Sequence, residues 1–185
     1  MGSGKLGVQM SKQSIIFEGL NCTGKSSIIK YLHENVDPDI YIHNSRTPFS
    51  NVNKIDTTYG YMKAWIDVLK FTKIPIWFDR FHFTEYAYGI VKRNYNRYGQ
   101  SKLFAEIDYC LNELGNVRLV YAYDEIESIV DRTKRLRGWG DIETFNALNN
   151  EMNRMLDSSC MTILKVNYND VFSNSDKMDE LIRFV

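Results

Sequence analysis

Charge of one sign is missing from this sequence: 23 lysines and arginines are matched by 23 aspartates and glutamates over 185 residues. That balance excludes a global basic field for holding nucleic acid and leaves room only for local patches. Cysteine is scarce. Cys22, Cys110 and Cys160 are odd in number, widely spaced and without metal-ligand spacing. They exclude a disulfide framework and suggest a reducing, cytoplasmic setting, a host's cytoplasm if the chain is viral. No apolar run approaches the roughly 20 residues of a membrane-spanning helix, so no membrane partner is expected. No secretory signal, internal repeat, low-complexity tract or second domain is visible. With 44% hydrophobic and 25% charged residues, residues 10–185 read as one α/β domain with a real core. Residues 1–9 read as a loose arm or a cloning remnant, Met10 being a natural start.

Against these absences stands one unbroken motif, Gly19-Leu20-Asn21-Cys22-Thr23-Gly24-Lys25-Ser26. It fits the phosphate-binding pattern of Gly, four residues, then Gly-Lys-Ser/Thr. Ser14 to Glu18 before it reads as a buried strand, and Ser27 to His33 after it as a helix with Ile28, Ile29 and Leu32 on one face. Glycines let the backbone wrap a phosphate, and amides then point inward at the positive end of the helix dipole. Lys25 reaches toward β and γ phosphates and Ser26 can hold Mg²⁺. Gly19, Asn21, Cys22, Thr23, Gly24, Lys25, Ser26 and Ser27 are therefore the expected triphosphate contacts. Cys22 reads as a tolerated small residue rather than a redox switch. Two decoys fall away. Gly2-Ser3-Gly4-Lys5 has no preceding strand. Asn53-Lys54-Ile55-Asp56 fits the guanine-reading pattern of GTPases but lies between strands two and three, and the chain contains no Asp-x-x-Gly.

Four further strands are expected, at Ile40–His43, Ile74–Phe78, Val117–Ala122 and Met161–Val166. Helices are expected at Thr57–Thr72, Phe81–Tyr98, Lys102–Leu114, Ile126–Leu136, Glu143–Leu156 and near Asp176–Phe184. In Glu143–Leu156 the apolar stripe of Phe145, Leu148, Met152, Met155 and Leu156 is core. Strands alternating with helices imply a five-stranded parallel sheet with helices on both faces. Ligands in such sheets bind beyond the carboxyl ends of the strands. The phosphate loop, Arg46, Asp79-Arg80 and Tyr123-Asp124 all follow strand ends and should converge on one cleft.

Asp79-Arg80 closes an apolar strand, which suits Asp79 to Mg²⁺ and Arg80 to a phosphate. Arg132, Lys134, Arg135 and Arg137 crowd a stretch ending in Gly138-Trp139-Gly140, and an arginine-rich lid over about 132–142 is expected. Arg132 and Arg135, three apart on one helix face, are the first choices there, followed by Arg137.

Together these residues resemble the thymidylate kinases and related deoxynucleoside kinases. Phe17-Glu18-Gly19-Leu20 is similar to the thymidylate kinase opening. Ser45-Arg46-Thr47-Pro48 is similar to the family's Arg-Glu-Pro segment, and Asp79-Arg80-Phe81-His82-Phe83-Thr84-Glu85-Tyr86-Ala87-Tyr88 to its Asp-Arg-Tyr/Phe, Ser/Thr, Ala-Tyr pattern. The Arg132 to Glu143 stretch is similar to its lid. The resemblance implies a P-loop kinase fold using ATP and Mg²⁺, with Lys25, Asp79, Arg80, Arg132, Arg135 and Arg137 in the transfer step. It implies that Arg46 and Arg80 orient the acceptor, with Phe49, Tyr59, Trp65 and Tyr88 as further acceptor-side candidates. Dimers are common in the family, so it also implies a homodimer. The chain departs from the family in three places. Asn21 stands where many members carry an acid, Thr47 where they carry Glu, and no arginine lies between Arg46 and Arg80 to read the base, although Tyr59, Tyr61 and Trp65 offer aromatic faces.

A hydroxyl acceptor profits from a general base, and His43-Asn44-Ser45-Arg46-Thr47 offers no Glu. A phosphate acceptor needs cations, which Arg46 and Arg80 supply. The expectation is therefore phosphoryl transfer from ATP to a pyrimidine deoxynucleoside monophosphate. The alternative is a kinase for the hydroxyl of a hydroxymethylated pyrimidine, free or within DNA, as in some phage systems. DNA would then be a substrate, and Tyr86 to Lys102 would be the stretch to contact it. A non-catalytic nucleotide-sensing or DNA-binding module is the reading from another class.

Overall fold

The computed structural model describes residues 13–45, 55–72 and 74–185. In chain order the elements are β1 (Ser14–Glu18), α1 (Lys25–Asn35), β2 (Tyr41–Asn44), α2 (Ile55–Thr72), β3 (Ile76–Asp79), α3 (His82–Arg93), α4 (Arg97–Glu113), β4 (Val117–Tyr123), α5 (Ile126–Arg137), α6 (Ile142–Ser158), β5 (Ile163–Asn167), α7 (Tyr168–Ser173) and α8 (Ser175–Phe184). The five strands form one parallel sheet in the order β2-β3-β1-β4-β5. The phosphate loop leaves the central strand, and the ends of β3 and β4 lie on either side of it.

Side chains alternate across a strand, so each strand feeds two cores. Ile16, Phe78, Leu119 and Tyr121 face α2, α3, α4 and α6. Ile15, Phe17, Trp77, Val120 and Val166 face α1, α7 and α8. Strands buried on both faces read as continuous apolar runs, as β1 does, with its polar ends Ser14 and Glu18 also buried.

Two local features differ from expectation. Phe81–Tyr98 is not one helix. Asn94 takes a left-handed conformation (φ 54°) and ends α3, its amide bonding Gly89 O. Asn96 then caps α4, its side chain accepting from Gly99 N at 3.0 Å. Asparagine tolerates both roles better than most residues. A short helix, α7, follows β5 directly because Asn167 accepts from the amides of Asn169 and Asp170. Residues 132–137 of the expected lid form the end of α5, closed by Gly138 at φ 70°, and Trp139 beyond it stacks on Phe145 with centroids 5.7 Å apart.

Candidate active site

The loop after β1 is shaped by backbone that side chains resist. Gly19 and Gly24 have φ of +134° and +86°, and even Cys22 is left-handed at 61°. A Cβ on Gly19 would lie 2.0 Å from Ala122 O, and one on Gly24 2.1 Å from the Tyr168 ring. Neither position admits a larger residue. Lys25 opens α1 and curls into the loop, its Nζ donating to Gly19 O at 2.8 Å, to Leu20 O and to Thr23 Oγ1. Burial, and next the Arg80 charge, push the lysine pKa down to about 7, against the raising pull of Asp79 and Glu18. A bound polyphosphate restores the charge by supplying an anion. Nucleotide binding at pH 8.5 should therefore take up close to one proton per site, and at pH 6 almost none. Calorimetry in buffers of different ionisation enthalpy reads this directly, and equal uptake at both pH values would contradict it.

Ser26 Oγ donates to Asp79 Oδ2 at 3.0 Å, across the gap between the loop and the end of β3. Asp79 Oδ1 is buried and, among the described residues, has no hydrogen-bond partner. A hydroxyl and a carboxylate side by side, with one carboxylate oxygen uncommitted, are the hard-oxygen donors Mg²⁺ accepts alongside substrate phosphates and water. The residues present therefore fit that ion.

Glu18 organises the next segment. Its carboxylate is fully buried and accepts from Phe81 N at 2.8 Å, Phe83 N at 2.9 Å, Thr84 N at 3.2 Å and the Thr84 hydroxyl. These donors include the free amides at the start of α3, where a carboxylate also meets the positive end of the helix dipole. The turn between β3 and α3 is thereby fixed, and Arg80 within it sits at φ 76°, a strained conformation for a residue with a side chain. Arg80 N donates to Phe17 O at 2.9 Å, and its guanidinium donates to Asn21 Oδ1 at 2.6 Å. Asn21, where an acid is common in the resembling family, is thus the side chain that ties Arg80 to the phosphate loop.

Two cavities meet here. One of about 380 Å³ is lined by Cys22, Gly24, Lys25, Ser26, Ser27, Arg80, Leu136 and Arg137. The other, about 590 Å³, extends past Asn44, Ser45, Asp79, Thr84, Glu85, Tyr88 and Arg93. Ser26, Arg80 and Arg137 line both. Burial raises the Tyr88 phenol pKa above its usual value, so the wall carries a neutral hydroxyl there.

The remaining expected residues are distributed as follows. Of the lid arginines, Arg137 reaches the cleft. Arg132 instead donates to Asp124 Oδ2 at 2.6 Å, beside Asn167. Burial works against the Asp124 charge, but the Arg132 bond and the Glu125 amide outweigh it and lower the carboxyl pKa. Arg135 is exposed and lines neither cavity. Tyr59 is half-buried against the core and accepts a hydrogen bond from Lys63 at 3.5 Å, and the Trp65 ring centroid lies 4.1 Å from that of His43 and against Phe78. Neither lines the cleft. Arg46 and Phe49 fall outside the described residues. Sequence reasoning missed Glu18 as an organiser, and Glu85 and Arg93 as cavity wall. A glutamate ending an apolar strand is the signal for the first; the other two carry none.

Neither family models nor the sequences of curated proteins give a match to this chain. Solved structures do, at low identity. The YorR protein of Bacillus subtilis, in complex with phosphorylated GDP, aligns over 92% of this chain and 93% of its own at 15% identity, with a TM-score of 0.67. Deoxyadenosine kinase from M. mycoides with bound dATP aligns over 91% and 98% at 16% identity (TM-score 0.59). Thymidylate kinase from Candida albicans aligns over 93% and 91% at 15% identity (TM-score 0.57). The fold is that of the P-loop nucleotide kinases. Within a P-loop kinase fold, the loop after β1 and the Asp-Arg pair after β3 face one another across the cleft described above. Among the described residues, no helix is long and apolar enough to cross a membrane.

Proposed function

We propose that this protein transfers the γ-phosphoryl group of ATP to a nucleoside monophosphate, a pyrimidine deoxynucleotide in particular. The observation carrying this reading is that Ser26, Arg80 and Arg137 are shared by the two cavities. A donor triphosphate on the loop and an acceptor in the larger cavity would meet at these side chains.

The loop amides and Lys25 bind the β and γ phosphates, and Lys25 becomes charged as it leaves the loop carbonyls for the phosphate. Ser26 and Asp79 would hold Mg²⁺, which would supply positive charge against the phosphates. Arg80 and Arg137 place cations on both sides of the migrating group, where charge is spread over its oxygens. Arg46 would add a cation to the acceptor. Arg132 keeps a supporting role, joining α5 to the end of β4 through Asp124.

A second reading follows from one atom. The unpartnered Asp79 Oδ1 has the position and chemistry to accept a proton from a hydroxyl acceptor, as a hydroxymethylpyrimidine in a nucleoside or in DNA would require. An acceptor panel with ATP and Mg²⁺ separates the two: nucleosides, nucleoside monophosphates, and DNA with and without hydroxymethyl bases. Monophosphates should stimulate ADP release and become diphosphates. Labelling of DNA alone would overturn the monophosphate reading, and ATP turnover indifferent to every acceptor would point to a nucleotide-sensing module.

A further inference from the structure

Arg80 is tied to the phosphate loop by a group that carries no charge. Its Nη2 donates to Asn21 Oδ1 at 2.6 Å, and Asn21 is 6% exposed. A carboxylate would bind a guanidinium more strongly and in a bidentate fork. An amide gives the position without the neutralisation. The effect reaches into the loop, where the Arg80 charge is the second cause, after burial, of the lowered Lys25 pKa. An amide also differs in what it offers a ligand: it brings two N–H donors, whereas a carboxylate brings acceptors alone. Asn21 lines the larger cavity, on the acceptor side, and not the smaller one that Lys25 lines. The charged groups around Arg80 are Lys25, Asp79 and Glu18 at the loop, and Arg137, Glu85 and Arg93 on the cavity wall. Each of these three carboxylates is engaged by another group: Asp79 by Ser26, Glu18 by the amides at the start of α3, and Glu85 by Arg93.

We propose that Asn21 is a positioning residue that sets the charge of the acceptor. By holding Arg80 without neutralising it, Asn21 tunes the larger cavity to the dianion of a phosphate monoester over a monoanionic or neutral group. The inference rests on the monophosphate reading above and gives it a physical cause. With a carboxylate in place of the amide, Arg80 would meet a counter-charge in the free protein, and an incoming phosphate would have to share it. With the amide, Arg80 is a part-buried cation whose counter-charge arrives with the ligand. The cost of burying that cation uncompensated is relieved on binding. The gain grows with the charge that the ligand brings. A phosphate monoester carries nearly two charges at neutral pH, its second ionisation lying near about pH 6. A hydroxyl acceptor brings no charge and gains nothing from this arrangement.

The test is calorimetric binding, without ATP and at pH 7.5, of dTMP, thymidine 5′-O-methylphosphonate, which carries one charge, and thymidine, which carries none. Should the acceptor panel rank another base first, the same three ligands of that base are used. The proteins compared are the wild type, Asn21→Asp and Asn21→Ala. The wild type should bind the monophosphate at least about tenfold more tightly than the methylphosphonate. Asn21→Asp can still accept a bond from Arg80 but adds a negative charge, whose penalty scales with the charge of the ligand. It should weaken the dianion by about 100-fold, the monoanion by about tenfold and the nucleoside not at all. Asn21→Ala loses the tie and stays neutral, so it should weaken dianion and monoanion alike and leave the gap between them. A purely tethering role predicts the reverse order, with Asn21→Asp close to the wild type and Asn21→Ala the weaker binder. That order overturns the assignment of Asn21. So does a wild type that binds the monoanion as tightly as the dianion, a result that needs no variant and holds even if Asn21→Asp fails to fold. In both cases turnover of monophosphates in the acceptor panel leaves the kinase reading standing. A wild type that phosphorylates no monophosphate overturns both.

Discussion

Replacing Lys25 with methionine should lower kcat by about a thousandfold, the scale at which removal of one preorganised cationic or hydrogen-bonding group is felt in a transition state. The same change should leave the protein folded and at neutral pH more stable than the wild type. The free lysine is buried against carbonyls and near Arg80, and its charged form is disfavoured. A lysine whose folded pKa is about 7, against an ordinary 10.5, binds fewer protons folded than unfolded between those values. Stability of the free wild type should therefore rise with pH across that window, and below pH 7 the full cost of the buried charge is present. The methionine variant should lack that slope. Acceptor-dependent ADP release, together with denaturant midpoints at pH 6 and pH 9, checks both halves. Near-normal turnover in the variant would remove the basis for the kinase reading.

The second large effect is expected far from any phosphate. Glu18→Ala should destabilise the fold by about 3–5 kcal/mol, the range seen when one partner of a buried charged network is removed. The loss goes beyond the cavity left behind, because the Phe81, Phe83 and Thr84 amides would be left without their acceptor in a buried turn. Glu18→Gln, which keeps one carbonyl oxygen, should lose less. Because the same turn holds Arg80 at its positive φ, both variants should also lose turnover at temperatures where they remain folded. A chemical melt that moves by under about 1 kcal/mol in Glu18→Ala, the scale of an unremarkable substitution, would refute the role assigned to the carboxylate.

How far the site could be read from the chain depended on the range of the interactions. The phosphate loop was legible because eight consecutive residues fix its geometry. Asp79-Arg80 was legible because the end of an apolar strand in a parallel sheet is where ligands bind. Glu18 was not, since its partners come more than sixty residues later. Arg93 was hidden because α3 stops at Asn94, where a left-handed asparagine replaced the expected continuous helix. Among the arginines expected in a lid, helix periodicity put Arg132 and Arg135 on one face but did not say which face meets the cleft. At about 100° per residue, Arg137 lies roughly 140° around α5 from Arg132. Asp124, eight residues before Arg132, had already claimed the latter.

The contact between Gly24 and Tyr168 bears on how the protein comes into being. The phosphate loop follows β1, but the ring against its back belongs to α7, after β5. The loop therefore gains this backing only after β5 and α7 have left the ribosome. A partly made chain would carry the whole phosphate-binding motif without its finished wall.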